Sequence, residues 1–220
     1  MTDVEVTFGG ERLRLLPERA AYWEARSTLL IADPHWGKAA TFRSAGLFVP
    51  RGTTSSGIER LDSLLARLGA RRIVFLGDFL HARAGRVDRT LGALEDWRSR
   101  HRDLEVVLVR GNHDRGAGDP PDELDIRCVE PPMLEADLAL AHHPVARGDA
   151  FVVAGHLHPG ARLIGRGRQR QRLPCFWISG RVCVLPAFGD FTGMAIIEPR
   201  PEDRVFVVAG DTVIGVGASE

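Results

Sequence analysis

Cysteine is scarce in this chain. Three occur in 220 residues, Cys128, Cys175 and Cys183, an odd number in no metal-type spacing. That argues against a disulfide framework and against a thiolate zinc site. Cys175 and Cys183 lie in apolar, strand-like runs and read as buried free thiols, which fits a reducing compartment and a cytoplasmic protein. Net charge is also missing, because 29 basic side chains balance 29 acidic ones. No bulk attraction for a polyanion follows, so any contact with nucleic acid has to come from a local patch. No apolar run approaches the ~20 residues that span a bilayer. The N-terminus has no basic stretch leading into an apolar one, so no signal peptide is expected. Lysine is nearly absent, with Lys38 alone against 28 arginines, and there is a single tyrosine.

Histidine, by contrast, is concentrated. Five short apolar runs each end on residues that ligate metals. Ser27 to Ala32 leads into Asp33-Pro34-His35, and Ile73 to Leu76 into Gly77-Asp78. Leu104 to Val109 leads into Gly111-Asn112-His113-Asp114. Leu138 to Ala141 leads into His142-His143, and Phe151 to Ala154 into Gly155-His156-Leu157-His158. Of eight histidines, only His101 lies away from these points and from nearby His81. Apolar runs of four to six residues bounded by Gly and Pro read as buried strands. In open α/β sheets, ligands sit beyond the carboxyl ends of such strands.

The donor set is imidazole, carboxylate and one carboxamide, without thiolate. It suits Mn²⁺, Fe²⁺ or Zn²⁺ in a catalytic site. About seven candidate ligands exceed the three or so that one open catalytic ion uses, which argues for two ions. Paired ions about 3.5–4 Å apart serve phosphoester hydrolysis. Asp78, ending what reads as a central strand, is the natural bridge. Singly, each piece has a plainer reading: Gly-Asp as a turn, Gly-Asn-His-Asp as a hairpin turn.

Elsewhere, Val4 to Leu16 alternates around Gly9-Gly10 and reads as a hairpin. Ile58, Leu61, Leu64, Leu65 and Leu68 give helical spacing over Thr53 to Leu68, stopped by Gly69. Arg89 to Arg100 reads as a second helix. Beyond about residue 145 the pattern becomes short strands: 162–164, 173–178, 182–185, 194–197, 205–209 and 212–216. The expectation is an α/β fold over residues 1–220 as one domain, with two mixed β-sheets packed face to face and helices outside.

The series Asp33-x-His35, Gly77-Asp78, Gly111-Asn112-His113-Asp114, His142 and Gly155-His156-x-His158 resembles the calcineurin-like metallophosphoesterase superfamily. Leu30 to Arg43, Phe75 to Ala82 and Leu185 to Gly193 are similar to a narrower group, the bacterial ligase-associated DNA-damage-response phosphoesterases. The resemblance implies a metallophosphoesterase-type sandwich. It implies one ion held by Asp33, His35, Asp78 and His158, and another by Asp78, Asn112, His142 and His156, with manganese the foremost expectation. His113 would face the substrate and assist the leaving oxygen, and His143 would stand behind the ligands or at the surface. Many relatives place an Asp three residues after the bridging Asp to orient the catalytic histidine. Here that position is His81, which leaves the partner of His113 open.

The narrower group implies a DNA endonuclease for single-stranded or flapped DNA, partnered with a DNA ligase and a helicase. A phosphodiesterase of small cyclic or linear nucleotides is the alternative enzyme, and a non-catalytic scaffold the alternative of another class. For substrate contacts, Lys38 and Arg43 follow the first two ligands, and Trp36 is the one obvious ring for stacking a base. The run Arg166 to Arg172 is either a solvated hairpin tip or a phosphate-backbone contact, through Arg168 and Arg170 above all.

Overall fold

A computed structural model of the chain describes residues 1–49, 52–165 and 169–217. The first sheet begins as an antiparallel meander of β1 (Val4–Phe8), β2 (Glu11–Leu16), β3 (Ala20–Trp23) and β4 (Thr28–Ile31). It continues in parallel from β4 through β5 (Arg72–Phe75) and β6 (Glu105–Val109) to β7 (Arg127–Val129). The second sheet contains β8 (Met133–Glu135), β9 (Leu138–Leu140), β10 (Phe151–Ala154), β11 (Pro159–Ile164), β12 (Arg170–Ser179), β13 (Val182–Val184) and β14 (Ala195–Ile196). Its order is β14-β11-β12-β13-β10-β9-β8, and β15 (Arg204–Ala209) and β16 (Thr212–Val216) attach through β12. The helices are α1 (Lys38–Ser44), α2 (Thr53–Leu68), α3 (Asp88–Arg100) and α4 (Asn112–Ala117).

Strand periodicity decides what each layer buries. Leu29 and Ile31 of β4, Ile73 and Phe75 of β5, and Val106 and Leu108 of β6 face the helices. There they meet Ile58, Leu61, Leu64 and Leu65 of α2 and Leu94 and Trp97 of α3. The alternate residues Leu30, Val74, Val107 and Val109 face the second sheet, against Leu140, Val153, Phe176, Ile178 and Cys183. Each such side chain contributes roughly 1.5–3 kcal/mol on full burial. The central strands are therefore covered on both faces, which is why they read as unbroken apolar runs. The α/β sandwich expected from sequence is present.

The hairpin and the helix boundaries also agree. Val4 pairs with Leu15, and α2 ends at Gly69, whose φ of 61° lets its N–H reach the Leu65 carbonyl. Several elements carried no readable pattern. All four residues of β3 are buried, so no alternation marks it. The short strands β7 and β8 and helix α1 were likewise not foreseen. Gly111 to Asp114 is not a hairpin turn. Asn112 opens α4, and Asp114 reaches back to the Gly111 N–H at 2.7 Å. Cys175 and Cys183 are buried free thiols, each pushed up to about 12 by burial. No helix among the described residues is long and apolar enough to cross a membrane.

Candidate metal centre

The parallel strands β4, β5 and β6 point their carboxyl ends one way, and each loop beyond them carries part of the site. Asp33 and His35 follow β4, Asp78 follows β5, and Asn112 and His113 follow β6. From the second sheet, His142 follows β9, and His156 and His158 follow β10. The loops are tied together by the backbone: the N–H of His35 donates to the Asp78 carbonyl (3.0 Å) and that of Trp36 to the Phe79 carbonyl (2.8 Å). Five of these residues adopt the left-handed conformation: Asp33 (φ 52°), His35 (47°), Asp78 (54°), His156 (71°) and His158 (47°). Asp and His tolerate it better than most residues, yet each still stores strain of ~1–3 kcal/mol. That strain is concentrated where side chains must turn inward off strand ends.

The ligand atoms fall into two groups. On one side His35 Nε2 lies 3.3 Å from His158 Nε2 and 3.8 Å from Asp78 Oδ2. His158 Nε2 is 3.5 Å from Asp33 Oδ1. On the other side His142 Nε2 lies 2.8 Å from Asn112 Oδ1, 3.1 Å from His156 Nδ1 and 3.4 Å from Asp78 Oδ1. Asp78 thus offers one oxygen to each group.

The chemistry of this donor set fits cations. His142 Nδ1 donates to the Leu76 carbonyl (3.0 Å), which leaves Nε2 as a lone pair aimed at other lone pairs. Asp33 Oδ2 accepts from the His156 N–H (2.8 Å), but Asp33 Oδ1 is buried with no hydrogen-bond partner. Burial holds His142 and His156 below the usual imidazole range and pushes His35 down to about 2, with Lys38 adding to the effect on His35. Neutral imidazole is the ligating form. Burial raises the Asp78 carboxyl, against the His113 N–H that bonds it and with Asp33 adding to the rise. Buried carboxylates among neutral imidazoles are a cradle for divalent ions.

Glycines make the close approach possible. A Cβ on Gly111 would fall 2.4 Å from Asp78 Oδ1, and one on Gly155 2.4 Å from Asp33 Oδ2. Gly155→Ala is therefore expected to displace Asp33, cost about 1–3 kcal/mol of stability as overpacking, and weaken metal binding. Thermal unfolding of the chelated protein and a Mn²⁺ titration check both parts. An unchanged titration would show that Asp33 is not displaced.

The partner of His113 is now defined. Its Nδ1 bonds the backbone carbonyl of His81 at 2.7 Å, and the two rings stack with centroids 4.9 Å apart and 24° between planes. A backbone carbonyl, which any residue at position 81 could present, takes the place of the usual Asp side chain in holding the ring. His113 Nε2 points into the site, 3.9 Å from Asp78 Oδ2.

Sequence reasoning missed Asp114. It is buried and accepts from the N–H groups of Asp78 (2.8 Å), Phe79 (2.9 Å) and Gly111 (2.7 Å), pinning the β5 and β6 loops together. Its place beside His113 in the motif was the available signal. The segment Leu185 to Gly193 is a clamp on the first loop. The Phe188 N–H donates to Ala32 O (2.8 Å), the Gly189 N–H to Asp33 O (3.2 Å), and Arg19 and Arg60 hold Asp190.

The expected substrate contacts divide. Lys38 opens α1 beside the centre. Burial lowers its ammonium, while Asp33 and Asp78 draw it back up. Trp36 does not stand free for a base. It is 3% exposed, edge-on to Phe79 and Phe188, and a Cβ on Gly57 of α2 would fall 2.6 Å from its ring. Arg43 turns toward the Val49 carbonyl (3.5 Å). Arg170 is exposed at the start of β12, opposite Ile164 at the far end of β11. Six strand residues separate it from His158, roughly 20 Å. Arg166 and Arg168 lie outside the described residues. His143 is exposed and rests on His156, ring centroids 4.2 Å apart.

Comparison with known proteins agrees with this geometry. The calcineurin-like phosphoesterase family matches residues 27–171, the stretch that carries every candidate ligand. The crystal structure of Pseudomonas putida nuclease MPE is similar over 98% of this chain and 100% of that one, with 45% identity and a TM-score of 0.86. YfcE, a phosphoesterase from E. coli, is 15% identical over 87% of this chain and 99% of its own, with a TM-score of 0.42. No curated protein matches the chain. Family match and near-full-length likeness meet on the same strand ends, and the chain belongs to the calcineurin-like phosphoesterase family, whose members use divalent metals.

Proposed function

We propose that the protein is a dinuclear metal phosphodiesterase that cuts DNA, single-stranded or flapped. One observation carries the reading: Asp78 turns one oxygen to His35 and the other to His142, with Asp33 Oδ1 buried without a hydrogen-bond partner nearby. Asp33, His35, Asp78 and His158 would hold one ion, and Asp78, Asn112, His142 and His156 the other. The mixed imidazole and oxygen set, without thiolate, suits Mn²⁺, Fe²⁺ or Zn²⁺, and Mn²⁺ is the ion proposed. When bound, such a pair supplies a nucleophile at neutral pH and neutralises charge on phosphorus.

The chain's own groups do the rest. Water's oxygen bonds to phosphorus as the ester P–O bond breaks, without a covalent enzyme intermediate, and the proton that water gives up passes to solvent. Donation from Nδ1 to the His81 carbonyl keeps the His113 ring oriented, so that Nε2 can deliver its proton to the departing oxygen. Lys38 is placed as a point charge for a non-bridging phosphate oxygen. Support for a nucleic-acid substrate comes from the 45% identical nuclease. The same reading places the activity in the cytoplasm, in DNA repair beside a DNA ligase and a helicase. The repair partnership rests on the resemblance of residues 30–43, 75–82 and 185–193, and the cytoplasmic placement on the buried free thiols.

The test is a metal-resolved assay. Chelated protein is expected to be inactive and Mn²⁺ to restore cleavage of single-stranded DNA and bis-p-nitrophenyl phosphate, with p-nitrophenyl phosphate poorer. Turnover that survives chelation would overturn the metal reading. Hydrolysis of the small diester with DNA left intact would replace the nuclease by a small-nucleotide phosphodiesterase.

A further inference from the structure

With Trp36 buried, the aromatic surface beside the centre lies elsewhere. His81 stacks on His113, Phe42 stands edge-on to His81 at 5.9 Å, and Phe191 stands edge-on to Phe42 at 5.9 Å. The four rings form one row that starts at the proton donor and ends at Phe191, which is 39% exposed. Lys38 and Phe42 are four residues apart on α1, so they share a face, with Lys38 Nζ 5.9 Å from the Phe42 ring centroid. Phe191 is anchored from both sides. Asp190 before it is held by Arg19 and Arg60, and Thr192 after it donates to the Gly189 carbonyl (2.8 Å). An exposed ring in a row that also carries a cation, next to a phosphoester site, matches a nucleotide: a flat apolar face with an anion attached.

We propose that Phe42 and Phe191 form a stacking platform for the base of a nucleotide flanking the scissile phosphate, with Lys38 on that nucleotide's phosphate. The proposal rests on the nucleic-acid reading above and deepens it. A base in a duplex has both faces covered by its neighbours, so such a platform selects unpaired strands. Every base has a π-face, so the selection ignores sequence.

The test compares an oligothymidylate with an abasic oligonucleotide of equal length, which carries the same phosphates and no bases. Stacking on the platform should give the parent protein a KM lower by roughly 10- to 100-fold for the oligothymidylate. Phe191→Ala, and Phe42→Ala with it, should raise that KM to the abasic value and close the gap, whereas Phe191→Trp should keep it. Phe191 lies on an exposed loop, so its single variant stays informative if Phe42→Ala unfolds. A gap that persists in the alanine variants, or a parent protein that cuts both strands equally, overturns the platform alone. A parent protein that turns over bis-p-nitrophenyl phosphate and cuts neither strand overturns the nucleic-acid reading, and the platform with it.

Discussion

Asp78→Asn is expected to lose phosphodiesterase activity by several orders of magnitude and to bind fewer than two equivalents of Mn²⁺. Asp78 Oδ2 belongs with His35 and Oδ1 with His142, so the substitution weakens both groups at once. An amide keeps one acceptor oxygen, which can still take the His113 N–H (2.9 Å), but it puts an NH₂ where the other ion needs a lone pair. The fold should survive. Burial raises the Asp78 carboxyl in the metal-free protein, so its charge at neutral pH costs stability there, and removing that charge relieves the cost. The chelated variant should therefore unfold no earlier than the chelated parent, while the Mn²⁺-loaded parent gains stability that the variant does not. Elemental analysis showing two ions at full occupancy in Asp78→Asn would remove the bridging assignment.

His113→Ala should separate catalysis from metal binding. The proposed ligand sets leave out His113, although its Nε2 lies 3.9 Å from Asp78 Oδ2, so both ions should remain bound. Loss of a general acid costs roughly 10²–10⁴-fold. The loss should be larger on DNA than on bis-p-nitrophenyl phosphate, because p-nitrophenolate leaves without being protonated. Equal losses on the two substrates would take the general-acid role from His113 and leave it as a structural neighbour of Asp78. A drop in bound metal would instead move it among the ligands.

Much of the centre was legible in the chain because strand ends advertise themselves. Apolar runs too short for helices end at Asp33, Asp78, Gly111, His142 and Gly155, and parallel strands bring such ends to one rim. The pairing of loops across the rim follows from that, since all the histidines but one were already near those ends. Helix α2 was legible for the matching reason. It buries one face only, so its apolar spacing survives in the sequence. Strand β3, buried on every residue, left no period to read.

The environment of side chains was a different matter. Trp36 stands next to a candidate ligand and reads for that reason as a ring for stacking a base, but α2 packs over it at Gly57. Neither the packing nor the glycine's purpose is visible from residue 36. The aromatic row through Phe42 and Phe191 joins positions 149 residues apart, and the clamp of the 188–192 segment, with Asp190 held by Arg19 and Arg60, sets them edge-on. The orienter of His113 is a backbone carbonyl, and a carbonyl has no signature in a sequence.

What the chain determined by itself was the kind of chemistry. Donor types, their order and their placement after strands are local properties, and they point to a metal-dependent phosphoester site before any contact is known. What the tertiary structure decided was which atoms face which. The split of Asp78 between two groups, the unpartnered Asp33 Oδ1 and the burial that holds His35, His142 and His156 neutral all come from packing two sheets and a helix layer around one rim. Solvent exclusion and direction are set by neighbours distant in sequence, and no local pattern encodes them.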